Sequence, residues 1–209
     1  MGTAILIYGK SGAGKSRSLK NFAEDEILFI NCIGKHPPFR KNFKYVLRSC
    51  DYNTIMDAMK RRPKDVNTIV LDDAGYLLTS QFMEGHAATK KGSSAFDLYN
   101  DIADRFYNLL IFIRDMLPGN VLVYIIMHES TSDYGETKLR TIGKLLDEKV
   151  CIEGMVTVCL RCMKENGKHF FRTQSDGMDI SKSPEDMFAP QIENDLKAVD
   201  TAIREFYSL

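Results

Sequence analysis

Apolar positions along this chain alternate between two spacings. Ile5 to Tyr8, Ile27 to Cys32, Val66 to Leu71 and Val121 to His128 are short, nearly unbroken apolar runs, which read as strands buried on both faces. Between them the apolar residues fall at helical intervals. A first helix, from about Lys15 to Glu24, follows a glycine-rich turn and buries Leu19, Phe22 and Ala23. Asp51 caps a second helix carrying Ile55, Met56 and Met59, and Pro63 stops it. A long third helix, from about Ala95 to Leu117, sets Leu98, Ile102, Phe106, Leu109, Leu110, Ile113 and Leu117 on one face before Pro118-Gly119 ends it. The polar, glycine-bounded stretch from Gly85 to Ser94 reads as a mobile loop.

Beyond Glu129 the pattern changes. A polar segment reaches Glu148, after which Val150 to Met163 and His169 to Thr173 read as antiparallel strands. Their turn is Glu165-Asn166-Gly167-Lys168, and Asn-Gly favours the tight type I′ hairpin. A last amphipathic helix buries Ile192, Leu196, Val199, Ile203 and Phe206. Strands alternating with helices predict an α/β fold with a mostly parallel central sheet flanked by helices and a C-terminal antiparallel hairpin extension. The length of 209 residues suits one domain. The expected layout is a core over 1–130, a flexible segment over 131–149, the hairpin over 150–176 and the terminal helix over 190–208.

Composition changes this picture little. Lys plus Arg equal Asp plus Glu at 28 each, so whole-molecule charge does not steer the chain toward nucleic acid. The five scattered cysteines do not form a disulfide framework and fit a reducing cytosol. Cys159 and Cys162 stand at odd spacing on a predicted strand, which points them to opposite faces and away from a shared metal ion. The longest apolar run, Val121 to Met127, is too short to span a bilayer, and no basic segment precedes an apolar one at the start. A soluble cytoplasmic protein with no membrane partner is expected.

The candidate chemistry starts at the first glycine turn. Gly9-Lys10-Ser11-Gly12-Ala13-Gly14-Lys15-Ser16 fits the phosphate-loop pattern G-x-x-x-x-G-K-[ST] without a mismatch, directly after a strand and before a helix. Glycines let successive backbone N–H groups point at phosphate oxygens, and a following helix adds its N-terminal partial charge. Lys15 would reach the β- and γ-phosphates and the Ser16 hydroxyl would hold Mg²⁺, with Arg17 next to the bound nucleotide. The cofactors implied are ATP and Mg²⁺.

Ile69-Val70-Leu71-Asp72-Asp73 is an apolar strand ending in two carboxylates. Asp72 suits the metal and Asp73 the attacking water. His128 and Glu129 end the fourth strand, where one of them would sense the γ-phosphate or act as base.

With these residues the chain resembles the small phage-encoded P-loop nucleotide-binding proteins with a RecA-like core, a group related to phage single-strand annealing and recombination proteins. The resemblance rests on Gly9 to Ser16, Asp72-Asp73 and His128-Glu129. It is extended by Gly143-Lys144-Leu145-Leu146-Asp147, the C-terminal hairpin, Lys182-Ser183-Pro184 and Met187-Phe188. It implies a RecA-like sheet, ATP binding, a homo-oligomer and a role in phage DNA recombination or replication in the host cytoplasm. RecA-type recombinases carry a catalytic Glu after the second core strand, where this chain has Asn31-Cys32-Ile33-Gly34-Lys35. Asp73 or Glu129 would substitute, or hydrolysis would be slow.

Two basic clusters have the residue types that suit single-stranded DNA, although clusters this short in a neutral chain are more often solvated surface: Lys90-Lys91, and Lys35, His36, Arg40, Lys41 and Lys44 interleaved with Phe39, Phe43 and Tyr45. Arg140, Lys144 and Lys182 are candidates to reach a neighbouring subunit's γ-phosphate. The leading expectation is a Mg²⁺-dependent ATPase acting on DNA. A nucleotide or small-molecule kinase and a non-hydrolysing assembly module are the alternatives. The lack of Asn-Lys-x-Asp disfavours a GTPase.

Overall fold

The computed structural model describes residues 1–87, 93–143, 146 and 150–209. Six strands run parallel: β1 (Thr3–Gly9), β2 (Ile27–Asn31), β3 (Tyr45–Leu47), β4 (Thr68–Asp72), β5 (Leu122–Thr131) and β7 (Val158–Glu165). β8 (Lys168–Arg172) and β9 (Gln191–Glu193) add antiparallel to β7, and β6 (Thr137–Leu139) folds back on the end of β5. The sheet order is β3-β2-β4-β5-β1-β7-β8-β9. β5 therefore separates the strand of the glycine loop from the strand of the acid pair.

Successive residues of β1 alternate between two apolar layers. Leu6 and Tyr8 join α1 (Tyr52–Arg61), α2 (Gly75–Gly85) and α3 (Ser93–Met116) on one side. Ile5 and Ile7 join α4 (Leu196–Tyr207) and the short turn after the loop on the other. The predicted stripe of α3 is buried from Ile102 to Leu117. Asp51 caps α1 as expected, accepting from the Thr54 N–H at 2.8 Å. Asn166 and Gly167 both have positive φ, 49° and 77°, as the type I′ hairpin requires.

Several expectations differ from the structure. The helix predicted from Lys15 to Glu24 is a 3₁₀ turn over Ser16–Asn21. Its first N–H, from Ser18, is shared between the Gly14 and Lys15 carbonyls, and the Ser18 hydroxyl bonds the Lys15 carbonyl at 2.6 Å. Such side-chain competition favours a tight turn over a propagating α-helix, so this element adds little dipole to the loop. The strand expected from Val150 begins only at Val158, after a 3₁₀ turn at Glu153–Met155. Ile192 belongs to β9, and Phe206 stays exposed against Tyr207. α2 and β6 carry no capping or turn signal strong enough to have been read in the sequence. The expected loop at Gly85 to Ser94 and the Gly143–Asp147 motif fall partly outside the described residues. Among those described, no helix is long and apolar enough to cross a membrane.

Candidate functional site

The carboxyl ends of β1, β2, β4 and β5 converge, which is where open parallel sheets place ligands. β1 enters the loop at Gly9, in register with His128 of β5. No side chain fits at Gly9, because a Cβ would lie 2.4 Å from the Cys162 carbonyl oxygen of β7. The loop then passes through Gly12 and Gly14 at φ of 77° and 109°, a left-handed path open to glycine.

Neighbouring strands hold the back of the loop. His169 Nδ1 and Cys162 Sγ both donate to the Ala13 carbonyl, at 2.6 and 3.2 Å. The carbonyl can only accept, which assigns the His169 proton to Nδ1. Asn194 Nδ2 lies 3.2 Å from Cys162 Sγ, and Arg17 Nη1 donates to Asn194 Oδ1 at 3.3 Å. Burial pushes the Cys162 thiol up to about 12, so it acts as a neutral strut.

Lys15 is buried, and its ammonium folds onto the loop. It donates to the carbonyl oxygens of Gly9 and Lys10, both at 2.9 Å, and approaches His128 Nδ1 at 3.3 Å. Burial pulls it below the ordinary lysine range, against the opposing pull of Cys162 and of the Asp73 and Asp72 carboxylates. His128 accepts at Nδ1 and so carries its proton on Nε2, 3.5 Å from Asp73 Oδ1. Lys35 Nζ stands 2.6 Å from Asp73 Oδ2. The chain Lys15, His128, Asp73, Lys35 thus alternates cation, relay, anion and cation around one cavity of about 340 Å³, also lined by Ser11, Gly12 and Ser16.

The two acids are in different electrostatic settings. Burial and the neighbouring Asp73 charge push the Asp72 carboxyl up to about 6, and the Ser16 hydroxyl lies 3.0 and 3.1 Å from its two oxygens. Asp73 is also buried, which alone would raise it, but His128 and Lys35 together hold it below the usual carboxylate range. Its backbone is left-handed at φ 59°, a conformation that costs a non-glycine residue roughly 1–3 kcal/mol and that Asp adopts more readily than most.

These residues fit a triphosphate with a divalent ion. Ser16 Oγ and the Asp72 carboxylate form a paired hard-oxygen donor set, and Mg²⁺ is commonly bound by one or two protein oxygens plus phosphate. Around Gly12 a Cβ would meet nothing within 4 Å, leaving room over the loop backbone.

The loop residues, Asp72, Asp73 and His128 come together as expected from the sequence. Glu129 does not join them. Consecutive strand residues face opposite sides, and Glu129 is held by Arg161 through contacts of 2.9 and 3.0 Å. It lines a separate cavity of about 300 Å³ behind the loop, with Lys10, Ser11, Gly12 and Ala13. Lys35 was legible only as part of a basic cluster. What brings it here is the pairing of Asn31 with Asp72 across β2 and β4, which delivers the residues after Asn31 beside the acid pair. One aromatic member of that cluster, Phe43, is not free for stacking on a ligand, since it is buried between Phe29 and Phe39 at ring distances of 5.3 and 6.1 Å. Tyr76 of α2 stands edge-on to His128 at 6.4 Å, and no local sequence pattern marks it. Arg140 and Lys182 line none of these cavities, and Lys90, Lys91 and Lys144 lie outside the described residues.

Residues 1–185 match the family model described as an AAA domain. The chain belongs to the AAA domain family. The matched stretch of this AAA domain holds the loop, the acid pair, His128 and the β7–β8 hairpin, and stops before β9 and α4. It makes the chain a nucleotide-binding domain of ATPase type. No curated protein matches the chain.

Proposed function

We propose that this AAA domain is a Mg²⁺-dependent ATPase whose loop from Gly9 to Ser16, with Arg17, binds the nucleotide. The observation that carries the reading is the Lys15–His128–Asp73–Lys35 chain, which places two cations and a carboxylate depressed in pKa around one cavity. Ser16 and Asp72 would hold Mg²⁺, which neutralises charge on the β- and γ-phosphate oxygens. A γ-phosphate competes with His128 and the loop carbonyls for Lys15, and with Asp73 for Lys35. Asp73 then has a free oxygen for the attacking water. Its depressed pKa suits orienting that water by hydrogen bonding more than taking its proton early. His128 Nε2 fixes the Asp73 carboxylate, and Tyr76 limits the swing of the imidazole. Glu129 contributes to the site at a distance, by keeping Arg161 paired.

The likeness to phage RecA-like proteins extends this reading to a homo-oligomer acting on single-stranded DNA in recombination or replication. The test is ATP turnover with and without single-stranded DNA, alongside mass determination under the same conditions. Lys15→Ala should lower kcat/KM by at least about a hundredfold, the usual scale for losing one charge-stabilising donor. Normal turnover in that variant would refute the mechanism. DNA that changes neither rate nor mass would remove the DNA part alone.

One observation favours a second reading, phosphoryl transfer to a small acceptor. A cavity of about 500 Å³ between Asn31 and Arg48 meets the phosphate cavity at Lys35, on the Asp73 side. Phosphorylated product from a nucleoside or nucleotide panel would decide for it.

A further inference from the structure

The phosphate cavity has two ends. At one end stand Lys35, Asp73 and His128, where β2, β4 and β5 finish. At the other stand Arg17 and His169, and both of these also line a neighbouring groove of about 610 Å³ between the 3₁₀ turn and the β8–β9 ribbon. A linear ligand with its terminal phosphate beside Asp73 must leave the loop at the Arg17 and His169 end. The structure assigns this groove to the nucleoside half of the ligand, an assignment that rests on the nucleotide reading of the loop.

The groove has the size and chemistry for that occupant. Small-ligand pockets commonly measure about 300–1,000 Å³. Its far wall is β8 and β9, with Ile192 of β9 as apolar surface. His169 has committed Nδ1–H to the Ala13 carbonyl, which leaves Nε2 as an acceptor suited to a ribose hydroxyl or an exocyclic amine. The Arg17 guanidinium is tethered to Asn194, itself 4% exposed, and presents a planar cation that suits stacking on a base. His169 thus touches both halves of the site: it braces the loop through one nitrogen and faces the groove with its ring. The cavity at Lys35 lies beyond the terminal phosphate, so it is on the wrong side for the nucleoside.

The chain has no tryptophan and Gln191 is an exposed residue of the groove wall, so Gln191→Trp both fills the groove and reports on it. Binding of ATP and of inorganic tripolyphosphate, each with Mg²⁺, should be measured on the wild type and on this variant. The variant should lose at least about tenfold in ATP affinity and keep tripolyphosphate affinity within about twofold. As a readout free of any folding defect, wild-type amide resonances of Gln191 to Glu193, which touch only the groove, should move with ATP and stay fixed with tripolyphosphate. Unmoved amides and undiminished ATP affinity would overturn the groove assignment while leaving the loop reading intact. Wild-type protein that binds neither ligand would overturn both.

Discussion

Asp72 illustrates how a binding group can oppose the fold that carries it. In the folded chain it keeps its proton up to about pH 6, whereas an ordinary Asp carboxyl loses it near 3.8. Its stabilising contribution is complete below the unfolded value and is lost as pH rises through the folded one. At pH 7.5 the ligand-free protein therefore carries a penalty, which Asp72→Asn should relieve by on the order of 1–3 kcal/mol in urea unfolding. The same variant should lose the Mg²⁺-dependent part of its ATP affinity. In the wild type that part should weaken as pH falls below about 6, because protonation removes the metal's carboxylate. A variant no more stable than wild type, or a metal dependence flat across pH 5 to 7, would show that the carboxyl is not strained by burial.

Among the elements, α4 carries an ionic lock on the sheet end remote from the loop. Asp200, 2% exposed, accepts from the Thr68 hydroxyl at 2.9 Å and the Tyr124 hydroxyl at 3.1 Å. Arg204 closes the group, bonding Asp200 at 2.7 Å and the Asn67 and Asn120 carbonyls at 3.0 and 2.8 Å. Arg204→Ala leaves a buried carboxylate without its cation and should destabilise the protein by about 3 kcal/mol, read from the denaturant midpoint. A loss under about 1 kcal/mol would mean the two hydroxyls suffice. The sequence showed α4 through its apolar spacing and the loop through a motif whose residues are contiguous. It showed β5 as an apolar run without revealing that β5 inserts between β1 and β4. Strand adjacency is a long-range property, so Lys35 could not be tied to Asp73 across 38 positions of chain by local pattern. The turn after the loop departs from its pattern for the opposite reason: Leu19 and Phe22 have helical spacing, while the Ser18 hydroxyl competes locally for the Lys15 carbonyl.

For the whole molecule, the sheet order decides which groups meet. With β5 between β1 and β4, His128 arrives level with Gly9 and within reach of both Lys15 and Asp73. The antiparallel additions β8 and β9 extend the sheet on the other side, and they supply His169 and Asn194 to the rear of the loop. Because those contacts fix the Ala13 carbonyl and hold Gly14 in place from outside, little backbone ordering is left for the ligand to impose. Mixing experiments should accordingly show an observed association rate that climbs linearly with ATP concentration and reaches no plateau, as a docking step without a preceding isomerisation does. Cutting the strut with His169→Ala should introduce curvature in that dependence.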